Sequence, residues 1–131
     1  MRQFIINLLL RIISVWLLAA NVYGLDFEAC MNSATESGGL TNVQRIQCLK
    51  TELHKQDLRL QAAYKQRFAQ GNKHQRQLLK RAHHQWLNYR DSLCLYEKSF
   101  TDIGPHPDVN ELFCRVDLTI EFTHKLQAGT N

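Results

Sequence analysis

The feature that most constrains the fold is residues 41–100, a stretch of 60 residues that holds one glycine and no proline. Its apolar residues recur every three or four positions, which is the spacing of one face of an α-helix. Gly71 ends the first helix of the stretch, and Asn72 is suited to begin the next. Because a short turn joins them, we predict that the two long helices form an antiparallel hairpin.

The first helix is predicted over residues 42–70 and the second over about 73–98. Thr41 and Gln44 have the spacing of a capping box at the start of the first helix. The residues expected on the buried face of the first helix are Ile46, Leu49, Leu53, Leu60, Ala63 and Tyr64. Those expected on the buried face of the second are Leu78, Leu79, Ala82, Trp86, Tyr89, Leu93 and Tyr96.

A third helix follows a loop that contains both prolines of the chain. Residues 104–107, Gly-Pro-His-Pro, interrupt the helical pattern because proline does not fit a helix interior. Asp108 and Glu111 have the spacing of a second capping box, and Gly129 lies where a C-cap belongs. The residues expected to be buried are Leu112, Phe113, Val116, Ile120, Phe122 and Leu126. With no sustained strand-like alternation, the predicted class is all-α, a small bundle built on a long helix hairpin plus a third helix.

Residues 1–24 have the features of an export signal. They combine a positively charged start, a largely apolar stretch over 4–20 in which Arg11 is the only charged residue, and small residues three and one before a cut after Gly24. The alternative is an uncleaved membrane anchor. Arg11 argues against it, since an Arg in mid-span costs about 2.5 kcal/mol or more. We therefore expect one mature domain, residues 25–131, located in the periplasm or secreted.

Four cysteines, an even number in a small exported chain, predict two disulfides. Local pairing joins Cys30 to Cys48 and Cys94 to Cys114, at separations of 18 and 20 residues. Each such bond stabilises the fold by about 3 kcal/mol. The hairpin also brings Cys48 beside Cys94, so that pairing remains open. We favour local pairing because it ties a loosely structured segment to each long helix. The chain lacks Cys-x-x-Cys, so a redox motif or a zinc ribbon fits poorly.

Charge and residue spacing argue against several function classes. Without the signal, the chain has 14 Lys and Arg residues and 12 Asp and Glu residues. We interpret the cations as scattered along helical faces rather than as a nucleic-acid site. His83 and His84 diverge by about 100° on a helix, and no chelating spacing occurs, so no metal or cofactor is expected and the histidines are taken as solvated. No cleft for paired carboxylates, phosphate loop or free thiol is evident, so the chain is not expected to be an enzyme.

Residues 79–94, LKRAHHQWLNYRDSLC, resemble the signature of LprI-type lysozyme inhibitors, Leu-x-x-Ala-Gln-x-x-Trp-x-x-Tyr-Arg-Asp-x-x-Cys. Asp57, Leu60 and Tyr64 are similarly placed to the family's Asp-x-x-Leu-Asn-x-x-Tyr. The sequence departs from the family pattern in having His83 for Gln, Gln61 for Asn, and Phe122 for Arg. We interpret the motif residues as chiefly structural, and they are Asp57, Leu60, Tyr64, Trp86, Tyr89, Arg90 and Asp91.

The hairpin predicts which motif residues meet. Counting outward from the turn places Tyr64 opposite Leu79 and Asp57 opposite Trp86. An unpaired carboxylate facing another helix is costly, so we expect Asp57 to bond Trp86, Arg90 or both and to fix the register of the hairpin.

The resemblance implies a bacterial envelope protein that binds a protein partner and, as in some members, inhibits lysozyme. Lysozymes are commonly basic, so acidic residues on a loop are reasonable contacts. The candidate loop carries Asp102, His106 and Asp108, beside the predicted Cys94–Cys114 bond. Two other functions remain open, an immunity protein against a secreted wall-degrading toxin and an envelope scaffold or assembly factor with no hydrolase target. We expect no nucleic-acid partner, and no membrane partner after signal cleavage.

Overall fold

The computed structural model describes residues 26–32, 41–100 and 106–128. The chain divides into two compact units, Met1–Leu40 and Thr41–Asn131. In the first unit, residues 26–32 are helical, while the predicted signal lies outside the described residues. In the second, the described residues form α1 (Asn42–Gln70), α2 (Lys73–Lys98) and α3 (Pro107–Ala128). The predicted all-α class is confirmed. No helix in the described ranges is long and apolar enough to cross a membrane.

The predicted bounds of α1 and α2 are confirmed, and both helices begin with a capping box. The Gln44 N–H donates to Thr41 Oγ1 at 3.3 Å, and the Thr41 N–H donates to Gln44 Oε1 at 3.0 Å. Asn72 and Gln75 form the same pair of bonds, at 3.0 and 2.8 Å, which the sequence interpretation did not specify. These boxes satisfy backbone donors that the first turn of each helix leaves without a partner.

The predicted capping box at Asp108 and Glu111 is wrong. Pro107 is the first residue of α3, a position where its missing N–H has no helical partner to lose. His106 precedes the helix, and its Nδ1 accepts a hydrogen bond from the Asp108 N–H at 3.3 Å. Both acidic side chains instead contact Lys98 Nζ, at 2.7 Å for Asp108 and 2.9 Å for Glu111. Lys98, which lies on α2, therefore binds both of the carboxylates that were expected to cap α3.

The helix α3 packs against both long helices, which make few backbone contacts with each other. Leu126 joins Leu60 and Ala63 in a core cluster, against which Tyr64, Leu79, Trp86 and Phe122 pack. The other buried residues of α1 and α3 include the apolar Leu49, Val109 and Val116 and four polar residues, Glu52, Gln56, Thr119 and Thr123. The hairpin core is thus completed by the third helix.

Side-chain contacts between α1 and α2 lie about one turn farther along α2 than predicted. The Tyr64 ring packs on His83, with centroids 4.8 Å apart. The expected bond between Asp57 and Arg90 is confirmed, at 3.3 Å, although counting from the turn placed Trp86 opposite Asp57. Because α3 packs into the space beside both helices, long side chains bridge them, and the register set by counting residues from the turn does not hold.

The predicted buried face of α2 is partly wrong. Leu78, Ala82, Tyr89 and Tyr96 are exposed, with Tyr89 at 56% and Tyr96 at 58%. Cys94 is fully buried and His83 is half-buried, which corrects the interpretation of that histidine as solvated. Apolar residues occur on two faces of α2, and only contact with α3 determines which face is covered.

Both predicted disulfides are present. Cys94 and Cys114 join α2 to α3, with their Cα atoms 5.4 Å apart. Cys30 and Cys48 form the other bond, and no cysteine is free. Local pairing is therefore confirmed, and the alternative Cys48–Cys94 bond does not form.

Candidate functional site

Arg90 links all three helices of the second unit. Its Nη1 donates to Asp57 Oδ1 on α1 at 3.3 Å and to Thr119 Oγ1 on α3 at 3.1 Å. The guanidinium also lies 5.0 Å from the centre of the Trp86 ring, within reach of a cation–π interaction. The Arg90 side chain is 12% exposed and that of Asp57 is 42% exposed. These contacts are those of a scaffold, and the Asp57 carboxylate keeps substantial access to water.

A chain of ion pairs runs along α2 and α3 from Asp91 towards the start of α3. Arg115 contacts Asp91 at 2.6 Å and Glu111 at 3.0 Å. Lys98 continues the chain by contacting Glu111 and Asp108. These charged pairs add to the disulfide in holding the two helices together.

The same contacts shift the proton affinities of the groups at the Lys98 end. Hydrogen bonds to Asp108 and then Glu111 raise the pKa of the Lys98 ammonium. The Lys98 hydrogen bond lowers the pKa of Asp108. Burial by itself would raise the pKa of Glu111, but hydrogen bonds from Lys98 and Arg115 outweigh it and lower that pKa. All three groups are therefore held in their charged forms at neutral pH.

Four aromatic rings cluster where the three helices meet. Trp86 stacks on Phe122 at 4.4 Å between centroids, and His83 lies 4.8 Å from Tyr64 and 6.1 Å from Phe122. Burial, with smaller contributions from Arg90 and His84, lowers the pKa of the His83 imidazole. His83 and Phe122, two of the departures from the family pattern, thus contact each other in one core cluster.

An open groove of about 580 Å³ lies between the C-terminal part of α2 and the N-terminal half of α3. Its lining residues are Leu93, Glu97, Phe100, Asn110, Phe113, Cys114, Asp117 and Leu118. Neither Glu97 nor Asp117 forms an ion pair with any residue that the structure describes. Beside the groove, Tyr96 is exposed and packs edge-on against Phe100, with centroids 4.9 Å apart. The groove therefore combines apolar walls with two unpaired carboxylates.

The predicted loop residues differ in their surroundings. Asp102 lies outside the described residues, and His106 is exposed at the start of α3. Asp108 is bound to Lys98, and its Oδ2 lies 3.8 Å from His106 Nδ1. Its charge is thus already offset, whereas the groove acids Glu97 and Asp117 form no ion pair within the described part of the chain.

Sequence reasoning missed the groove because its residues come from two helices. A signal for it existed, since Leu93 and Glu97 share one face of α2 by their spacing and Phe100 follows the end of that helix. The Cys94–Cys114 bond then places that face beside the matching residues of α3. No group of three His, Cys, Asp or Glu residues within the described ranges is arranged to hold a metal ion.

Comparison with known proteins identifies a family. A family profile described as "Lysozyme inhibitor LprI" matches residues 30–126, which span both disulfides and nearly all of the three helices. Comparisons with curated proteins and with solved structures gave no match. The chain belongs to the LprI lysozyme inhibitor family.

Proposed function

We propose that the protein is exported to the periplasm or beyond the cell and inhibits a lysozyme-type peptidoglycan hydrolase by binding it directly. Membership of a family named for lysozyme inhibition supports this proposal. The oxidised cysteines are compatible with a location outside the cytoplasm.

The observation that carries the proposed binding site is the pair of unpaired acids in the α2–α3 groove. Glu97 and Asp117 lie among Leu93, Phe100 and Phe113, so a partner with cationic and apolar groups meets complementary chemistry there. Lysozymes are commonly basic, and their surfaces supply such cations. Rim charges of this kind chiefly speed association and select the partner, while the apolar walls contribute area removed from water.

The walls of the groove are held in place before any partner arrives. Cys94–Cys114 joins the two helices beneath it, and Lys98 binds both Asp108 and Glu111 at one edge. A site that is already ordered loses less conformational entropy on binding. In this proposal the loop with Asp102, His106 and Asp108 lies at the rim and makes secondary contacts.

The test is a dose-response assay of lysozyme activity. The full chain is expressed with its own N-terminus, and the processed protein is purified. We expect inhibition at a 1:1 stoichiometry and an inhibition constant raised about tenfold or more in the double variant Glu97→Gln/Asp117→Asn, which corresponds to about 1.4 kcal/mol. The control is Glu121→Gln, since Glu121 is an exposed acid of α3 that pairs with Lys125 and does not line the groove.

The outcomes separate function from site. Absence of inhibition across lysozyme classes would contradict the proposed function, and inhibition of a wall-degrading toxin alone would favour the immunity role. Full inhibition by the double variant would reject the groove as the site. Replacing residues 101–106 with a Gly/Ser linker then measures the contribution of the loop.

A further inference from the structure

The cations of the second unit are concentrated in one segment. Residues 58–90 contain eight Lys and Arg residues and no Asp or Glu, whereas residues 91–128 contain seven acids and three Lys or Arg. The interpretation of the cations as scattered along helical faces is wrong for this segment. The charges of the two long helices are therefore strongly separated along the chain.

Most of these cations lie on the hairpin tip, which we define as residues 65–81. The core cluster of Leu60, Ala63 and Leu126 marks the level to which α3 reaches, and α3 ends at Ala128. Nearly every residue beyond that level is exposed or half-buried. The basic residues of the tip are Lys65, Arg67, Lys73, Arg76, Lys80 and Arg81. The tip is thus a projecting, cationic end of the bundle.

Part of this charge has a structural role. Arg76 donates to the carbonyls of Phe68 at 3.0 Å and Ala69 at 3.3 Å, which caps the end of α1. Arg76 and Lys80 also lie 5.3 and 5.4 Å from the centre of the Phe68 ring. Their like charges are brought close together with no acid in the segment to offset them.

Lys65, Lys73 and Arg81 are exposed and form no ion pair with any residue in the described part of the chain. Two concavities flank the turn. One, of about 220 Å³, is lined in part by Arg67 and Arg76. The other, of about 370 Å³, is lined in part by Lys73, Arg76 and Lys80. Each presents cations and amide groups that suit a phosphate.

We infer that the hairpin tip binds the surface of a lipid bilayer that carries anionic headgroups. The cations lie on both helices around the turn, so several of them can contact a broad anionic surface at once. Each concavity can accommodate the phosphate of a single headgroup. The tip lacks the exposed stacking aromatics expected of a nucleic-acid site. This inference is independent of lysozyme inhibition and revises the expectation that the mature chain has no membrane partner.

The separation of charge also gives the bound protein an orientation. Glu97 lies 24 residues along α2 from Lys73 and 16 from Arg81, which are distances of about 36 and 24 Å. An anionic surface attracts the tip and repels the acidic segment, so the α2–α3 groove faces away from the membrane and stays accessible.

The test is co-sedimentation of the processed protein, purified after expression of the full chain, with lipid vesicles. We expect binding to phosphatidylcholine vesicles that contain about 30% phosphatidylglycerol, little binding to pure phosphatidylcholine, and loss of binding in about 1 M salt. Each exposed cation near the surface contributes about fivefold in affinity. The triple variant Lys65→Gln/Lys73→Gln/Arg81→Gln is therefore expected to bind about a hundredfold more weakly.

The matched control, Arg45→Gln/Lys50→Gln/Lys55→Gln, removes the same net charge from the part of α1 far from the tip and is expected to keep most of the binding. Circular dichroism checks that both variants retain the helical content of the parent. Equal losses in the two variants, or no preference of the parent for anionic vesicles, would overturn the inference. Retention on soluble polyphosphate without vesicle binding would also overturn it and favour a polyanionic polymer.

Discussion

Replacing Arg90 with methionine removes the guanidinium but keeps an unbranched side chain of similar length. The variant loses the hydrogen bond to Thr119, the contact with Asp57 and the interaction with the Trp86 ring. The first contributes about 1 to 2 kcal/mol, the half-exposed ion pair up to about 1, and the cation–π contact about 0.5 to 1. Because methionine recovers some apolar packing, we expect a net loss of about 2 kcal/mol.

The companion variant Asp57→Ala removes only the half-exposed ion pair, and its expected cost is below about 1 kcal/mol. The cost is small because 42% of the Asp57 side chain remains accessible to solvent. Urea unfolding followed by circular dichroism measures both changes, and a drop of about 8 to 16 °C in the melting temperature is expected for Arg90→Met. Equal losses in the two variants would refute the argument that the α3 and Trp86 contacts dominate.

Two further predictions concern pH and the disulfide. The pKa of His83 is lower in the folded protein than the ordinary value of 6.5, so the unfolded chain takes up its proton first as pH falls. The free energy of unfolding should therefore decline as pH drops from about 6.5 towards that lowered pKa. The urea midpoint of His83→Gln should decline less steeply with pH than that of the parent. An identical decline in the two proteins would contradict this cause. The double variant Cys94→Ser/Cys114→Ser should lower the free energy of unfolding by about 3 kcal/mol. It should also inhibit more weakly, because the two walls of the groove are no longer joined. Inhibition equal to that of the parent would show that the disulfide does not order the groove.

The bounds of α1 and α2 could be predicted because their signals are local. Thr41 and Gln44 identify the start of α1, and Gly71 identifies its end. The start of α3 could not be predicted in the same way, since Asp108 is an equally good capping residue by type. Lys98, ten residues earlier in the chain, binds that carboxylate and leaves the position before the helix to His106.

The buried face of α2 and the groove depend on contacts that are distant in sequence. The Arg90 side chain is largely buried, and Thr119 and Asp57 accept its hydrogen bonds. Tyr89, which the hydrophobic pattern places on the buried face, is exposed. On α1, Gln56 Nε2 donates to Glu52 Oε1 at 2.6 Å within the buried region, so a polar pair occupies positions that hydrophobic periodicity does not predict. The disulfide pairing was predicted, but the groove above Cys114 required the relative placement of two helices.

We propose that the protein binds a lysozyme-type hydrolase through the α2–α3 groove. Titration of a purified lysozyme with the processed protein, with Glu97→Gln/Asp117→Asn and with the control Glu121→Gln tests this proposal. We expect saturable inhibition by the parent and the control, and an inhibition constant at least about tenfold higher for the double variant. Identical inhibition curves for all three proteins would contradict the assignment of the groove, and no inhibition by any would contradict the function itself.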